Sequence, residues 1–390
     1  MRLFRPAAIL VCTGLIVLLT ACEDPSNVGL GVGGELAGGE PVTVRLAPST
    51  FATETFDDLS GNVDRILIGR TNDPVIGQMT ARGYLDVASP AVPPDDLPAG
   101  PIEYAELRLF PEYRYGDTLA TGRFALNDMP SEWDGAGLPT DTTLTGGAFI
   151  RDFSLTPTDS VVNVPLPEAW IAANSEVLRD TSDAFNDRFN GFQVVPASGN
   201  AITGINANDS QLRLVVGGDT TAFSITQTFT GLQREPGSLA LPPGRRLVQD
   251  GFGAGIAIDF TLPDSLRDRP ISRAELVLPT DTLTLQGAPA GNANFVRTAT
   301  RDFRLIPVLP SGDLATSVSL DFAPDEAAIV FRQGAREIFE AELLGRPQVD
   351  RFRLLLSPGA LTVNPALLFG PDAPAESRPY LILTVTASDA

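Results

Sequence analysis

The sequence predicts an all-β protein: two tandem jelly-roll-like β-sandwich domains, each carrying one short packed helix. Three observations lead there. Short apolar-alternating runs recur between clusters of Pro, Gly, Asp and Asn, which is the punctuation of many short strands. The order of those runs repeats once along the chain at a nearly constant offset. Each repeat then holds one stretch with helical spacing of apolar residues, in the same relative place.

The strands come first. Val42–Leu46, Arg65–Ile68, Tyr84–Val87, Ala105–Leu109, Gln211–Val216 and Leu381–Val385 alternate in character, so that one face meets a core and the other meets water. The repeat follows from comparing the halves. Ile102–Leu109 and Ile271–Leu278 share the pattern I-x-x-A-E-L-x-L at an offset of 169. Leu85-Asp86-Val87 parallels Ile258-Asp259-Phe260, Phe124–Leu126 parallels Phe303–Leu305, and Phe192–Pro196 parallels Phe352–Pro358. Leu212–Val216 parallels Leu381–Val385, again at 169. Five pairs in one order point to a duplicated domain.

The helical stretches are Pro167–Arg179 and Ala335–Leu344. The first opens with Pro-Glu, which suits a first helical turn, and spaces Trp170, Ile171, Val177 and Leu178 for one face. The resulting division is 1–21 leader, 22–41 Gly-rich tether, 42–216 first sandwich, 217–243 linker rich in Gly, Thr and Pro, and 244–390 second sandwich.

The leader carries the strongest address in the chain. Arg2 and Arg5 precede an apolar run, Ala7–Leu19, interrupted only by Cys12, Thr13 and Gly14. It is too short to cross a bilayer, which takes about 20 residues, and has the length of a secretory signal. It ends in Leu19-Thr20-Ala21-Cys22. This resembles the lipobox of bacterial lipoproteins. The resemblance implies cleavage before Cys22, a diacylglycerol thioether on its sulfur and acylation of the new amine. No other cofactor is expected. Each buried methylene adds about 0.8 kcal/mol and stable anchoring takes two chains, so a triacylated cysteine suffices. The bilayer is then the first partner, through acylated Cys22. Glu23 and Asp24 leave outer membrane, cell surface and periplasmic face open.

Composition removes whole classes of chemistry. The chain has 390 residues and a net charge of −20, and every one of its 28 basic residues is arginine. Without the leader's two arginines the charge is −22, which argues against nucleic acid as a partner and against direct attraction to anionic lipid. There is no histidine, hence no Ser-His-Asp or Cys-His arrangement and no histidine metal site. Without lysine there is no Schiff-base nucleophile and no phosphate-loop lysine. Once Cys12 leaves with the leader, Cys22 is the only cysteine, so no disulfide forms within the mature chain. No catalytic residue and no metal site is expected. Asp180/Asp183 and Asp264/Asp268 are loose calcium-like spacings that match no EF-hand. Asp57-Asp58, Asp95-Asp96 and Glu103/Glu106 read as solvated acids, and Gly251–Gly255 as a turn or bulge.

Tyr113 and Tyr115 in "FPEYRYGDT" and Trp133 in "PSEWDGAG" are the candidate ligand contacts, for stacking on a sugar ring or a peptide. Strand-edge packing is their other reading. Finally, Gly69–Val87, Ile102–Thr118 and Phe189–Gly199 together resemble a Bacteroidota lipoprotein family, the domain of unknown function 4270. Asn72-Asp73-Pro74 and Tyr115-Gly116-Asp117 are the most specific elements of the likeness. Val75-Ile76 departs from it where an aromatic would precede Gly77. The resemblance implies an exported β-rich lipoprotein and implies no activity. The expectation is a non-enzymatic exported lipoprotein that displays binding or structural domains to an envelope protein or a glycan. The alternative is a surface protein that processes or binds polysaccharide through carboxylates or aromatics.

Overall fold

The computed structural model describes residues 39–387 apart from 57–60, 90–99, 181, 183, 267–268, 287–291, 299–301, 310, 315, 322–326, 333–350 and 357–360. Cys22, the helical stretch 335–344, the pairs Asp57-Asp58 and Asp95-Asp96, and the acids Asp183 and Asp268 lie outside the described residues.

The first repeat contributes β1 (Gly39–Leu46), β2 (Thr50–Thr55), β3 (Arg65–Asp73), β4 (Gly77–Val87), β5 (Ile102–Asp117), β6 (Gly122–Asp128), β7 (Phe149–Leu155) and β8 (Val162–Pro165). Helices α1 (Glu168–Asn174) and α2 (Ala184–Arg188) follow, then β9 (Phe192–Ser198) and β10 (Ala201–Val216). The second contributes β11 (Asp219–Arg234), β12 (Arg245–Gln249), β13 (Ala254–Asp259), β14 (Ile271–Pro279), helix α3 (Thr282–Leu285) and β15 (Phe295–Val296). It continues with β16 (Asp302–Val308), β17 (Val318–Asp321), β18 (Ala328–Phe331), β19 (Arg351–Leu356), β20 (Pro365–Phe369) and β21 (Tyr380–Ala387). The molecule is all-β with sandwich-like sheets, as the alternation predicted.

In the first sandwich one sheet runs β8-β5-β10-β11 and the other β7-β6-β9-β4-β11. β11 is long enough to serve both, pairing first with β10 and then with β4. The second sandwich runs β18-β14-β21-β1 and β17-β16-β19-β13-β2. The parallels read from sequence occupy equivalent ladder positions. Leu85 stands opposite Phe192 and Ile258 opposite Phe352. Leu126 stands opposite Val194 and Leu305 opposite Leu354. Leu107 stands opposite Leu212 and Leu276 opposite Leu381. Each sandwich buries one apolar core between its sheets, the first around Leu107, Phe124, Phe192 and Phe223, the second around Ile258, Leu276, Phe303 and Leu381.

Two boundaries differ from the sequence reading. Residues 42–55, placed in the first sandwich, form β1 and β2 of the second, where Phe51 is buried and Val44 and Leu46 pack against the core. Residues 217–243, placed in a linker, are mostly β11, whose Phe223 is buried in the first core. Their threonines are β-branched and suit a strand. Gly217 and Gly218, at φ +60° and +84°, form the two-residue turn that folds β11 back onto β10.

The helix expected over Pro167–Arg179 is α1 followed by a separate single turn, Val177–Arg179. At the break the Asn174 side chain donates to the Trp170 carbonyl (2.8 Å) and the Ser175 hydroxyl to that of Ala172 (3.1 Å), taking up carbonyls a longer helix would need. Trp170 and Ile171 still bury against the first core, as their spacing predicted.

Candidate functional site

Tyr113 and Tyr115 are two apart on β5, so both side chains project from one face of the strand. That face meets the second repeat, in a core of its own where Leu67, Met79 and Ile202 pack against Leu247, Val363 and Leu367. Tyr115 is fully buried there and donates to Asp73 Oδ2 (2.7 Å). Asp73 closes the β3–β4 turn with its other oxygen, accepting the amides of Val75 (2.8 Å) and Ile76 (3.0 Å). Into the same carboxylate comes Arg297, just after β15, with Nε 2.7 Å from Oδ2 and Nη2 2.9 Å from Oδ1. The fork is bidentate, and both side chains are almost wholly shielded from water, at 6% and 0% exposure. Nη1 of the same guanidinium reaches the Leu285 carbonyl at 3.4 Å.

The electrostatics follow from that geometry. Burial works to raise the Asp73 carboxyl, but Arg297, Tyr115 and the two turn amides outweigh it and hold it below the ordinary carboxylate value. Burial, then the adjacent Asp73 charge, pushes the Tyr115 phenol well up. Arg297 is raised by its contact with Asp73, against burial. Near neutral pH the cluster is therefore an ion pair with a protonated phenol leaning on it, fully hydrogen-bonded. It offers no free acid or base.

Tyr113 donates to Asn364 Oδ1 (2.8 Å) and accepts the Val363 amide (3.3 Å), both in the second repeat, and burial raises its phenol. Trp133 is also turned inward. Its loop folds back on β4 and β11, so that the indole packs 6.2 Å from the Tyr84 ring beside Met129 and Phe229, and Nε1 donates to the Asn190 carbonyl (2.8 Å). The ligand-contact reading is corrected for Tyr115 and Trp133, whose buried rings present no face to a sugar, while the half-buried Tyr113 spends its hydroxyl on the second repeat. Two of the three instead join the repeats. Tyr113→Phe is expected to cost about 1–2 kcal/mol, because Asn364 and the Val363 amide lose their partner. A thermal melt monitored by circular dichroism should fall by a few degrees.

Two carboxyls that the sequence reading passed over stand apart. Burial raises Asp86, on β4, to about 7, and the single amide of Val87 at 2.8 Å offsets little of that. Burial also raises Asp128, at the end of β6, against a 2.7 Å hydrogen bond from the Trp170 indole. They do not form a catalytic pair. Leu85, Phe192 and Asp128 stand in one row across β4, β9 and β6, and such a row shares a face, here the first core. Asp86 follows Leu85 and projects from the other face. Gly191 packs onto it: its φ is +79°, and a Cβ there would lie 2.2 Å from the Leu85 carbonyl oxygen. Of the acids singled out from sequence, Glu106 is held by Arg213 (2.7 Å) and Tyr104 (2.9 Å).

A signal for Asp86 existed. It sits in Tyr84–Val87, where the neighbours on both faces are apolar, so either orientation buries it. No such signal marked Arg297, whose segment "FVRTAT" alternates weakly and gains its meaning only from Asp73 across the seam. Among the described residues no group of three or more Cys, Asp or Glu side chains lies close enough to hold a metal ion. Among them, too, no helix is long and apolar enough to cross a membrane.

No protein-family model and no curated protein matches the chain. Solved structures show faint likeness only. A protein described as secreted, from Parabacteroides distasonis, is 7% identical over 90% of this chain and 100% of its own, with a TM-score of 0.21. The pilus backbone protein of Streptococcus pneumoniae is 10% identical over 82% of this chain and 59% of its own, at 0.13. The coconut allergen cocosin is 9% identical over 89% and 85%, at 0.12. Scores this low carry no argument about fold or activity. The likeness to the domain of unknown function 4270 rests on the motif residues alone.

Proposed function

We propose that this is an exported lipoprotein, held to a bilayer by acyl chains on Cys22, whose two-repeat β body serves as a binding or structural element of the cell envelope and performs no catalysis. One observation carries the non-catalytic part. Asp73 and Tyr115, the chemistry-bearing residues of the most specific motif, are consumed by a closed, fully bonded junction with Arg297. A sequence with an active site to preserve would hold such residues open to substrate. The anchor rests on Leu19-Thr20-Ala21-Cys22 behind its basic-apolar leader. The outer partner is an envelope protein or a glycan.

Membrane fractionation tests the anchor. Cys22→Ser should move the chain from the membrane pellet to the soluble fraction, and retention in the pellet would overturn the assignment. Brief protease treatment of intact cells then separates outward display, in which the body is degraded, from a periplasmic face, in which it survives.

A further inference from the structure

The first strands of the two repeats have changed places. Val42 stands opposite Val385 and Leu46 opposite Leu381, while Asp219 stands opposite Val216 and Phe223 opposite Leu212. Since Val385 and Leu381 are the counterparts of Val216 and Leu212, Val42 corresponds to Asp219 and Leu46 to Phe223, an offset of 177. A second ladder gives the same answer independently. Phe51, Thr53 and Thr55 stand opposite Ile258, Ile256 and Ala254, as Thr228, Thr230 and Leu232 stand opposite Leu85, Gly83 and Ala81. With Ile258 the counterpart of Leu85, the offset is again 177. Even the break between β1 and β2 falls where β11 is bulged, between Ile225 and Gln227. β1–β2 and β11 are therefore one element of the repeat, and each completes the sandwich of the other.

We propose that the slot between β13 and β21 is a strand-acceptor site, and that its partner is a second copy of this chain, whose β1–β2 arm fills it by exchange. The slot recognises the arm by two main-chain ladders and by the apolar side chains Val44, Leu46 and Phe51. None of these contacts depends on whether the arm arrives from the same chain or another. The arm already lies outside the sandwich of its own repeat. Identical elements exchange at little cost, and local concentration sets the balance between the forms. Each chain carries one arm and one slot, so reciprocal exchange between two chains gives a closed dimer with no slot empty.

Thr43 and Thr384 stand directly opposite in β1 and β21, hydroxyl oxygens 3.0 Å apart, and supply the test. All variants are the full chain with Cys12→Ser and Cys22→Ser. T43C and T384C together should close a disulfide within one chain in dilute solution; failure to close would refute the register. Chains carrying T43C alone and T384C alone are then mixed, unfolded, refolded together at high protein concentration and oxidised. The expected product, identified by mass, is a covalent dimer of one chain of each kind. Its yield should exceed at least tenfold that from T43C paired with L283C, a cysteine at an exposed position off the slot. Phe51→Asp in the T43C chain should abolish it. Equal yields from the two pairings, or no mixed dimer at all, would overturn the proposal.

Discussion

Arg297→Met is expected to destabilise the protein by about 3–5 kcal/mol, the cost of stranding one member of a buried ion pair. The substitution keeps the apolar stem of the side chain and removes the fork that meets Asp73 at 2.7 and 2.9 Å. Asp73 is then a buried anion with the Tyr115 hydroxyl and two amides as its remaining partners. Asp73→Asn in the same chain removes that anion, so the double variant should recover part of the loss. A coupling of more than about 1 kcal/mol between the two changes is expected in a double-mutant cycle measured by urea unfolding. The effect also has a pH signature. Asp73 is held below its ordinary value, so its stabilisation is present above the unfolded carboxyl's pKa, near 4, and is lost as pH falls through the lower folded value. Arg297→Met should flatten that acid-side loss. Additive single costs, or an unchanged melt, would mean that the Asp73–Arg297 pair contributes nothing to joining the repeats.

What the sequence made legible was whatever local alternation encodes. Ala105–Leu109 and Gln211–Val216 alternate, and they are strands with buried faces. The matched pairs share ladder positions because the same inward residues recur. Pairing partners are another matter. Val42–Leu46 reads as a strand, but nothing in five alternating residues says which sheet it joins, and proximity in sequence favours the wrong one. The threonines of β11 look like linker composition until Gly217-Gly218 is seen to turn the chain back. Tyr113 and Tyr115 look exposed because arginine and glutamate flank them. Tyr113 is met by residues about 250 further on and Tyr115 by Phe295, about 180 further on, neither of which periodicity within one strand reveals.

Asp86→Asn is expected to stabilise the protein at neutral pH and do little near pH 4. The Asp86 carboxyl is raised to about 7 by burial, against roughly 3.9 in an unfolded chain. The folded form therefore holds its proton more tightly. Between those two values the wild type loses stability as pH rises, and above about 7 the loss is complete. Three units correspond to about 4 kcal/mol, and discounting for the partly buried position leaves about 2 kcal/mol. Asparagine keeps the shape and the acceptor for the Val87 amide while removing the ionisation. Unfolding free energies measured by urea from pH 4 to pH 8 should start together and separate through that range, the variant staying level where the wild type declines. The sign is opposite to that of Asp73, whose contribution fails on the acid side, so the wild type should be most stable between the two windows. Each substitution should then flatten a different flank. If Asp86→Asn costs the same at every pH, the carboxylate is valued for its hydrogen bond and not penalised for its charge, and the burial argument for its raised pKa fails with it.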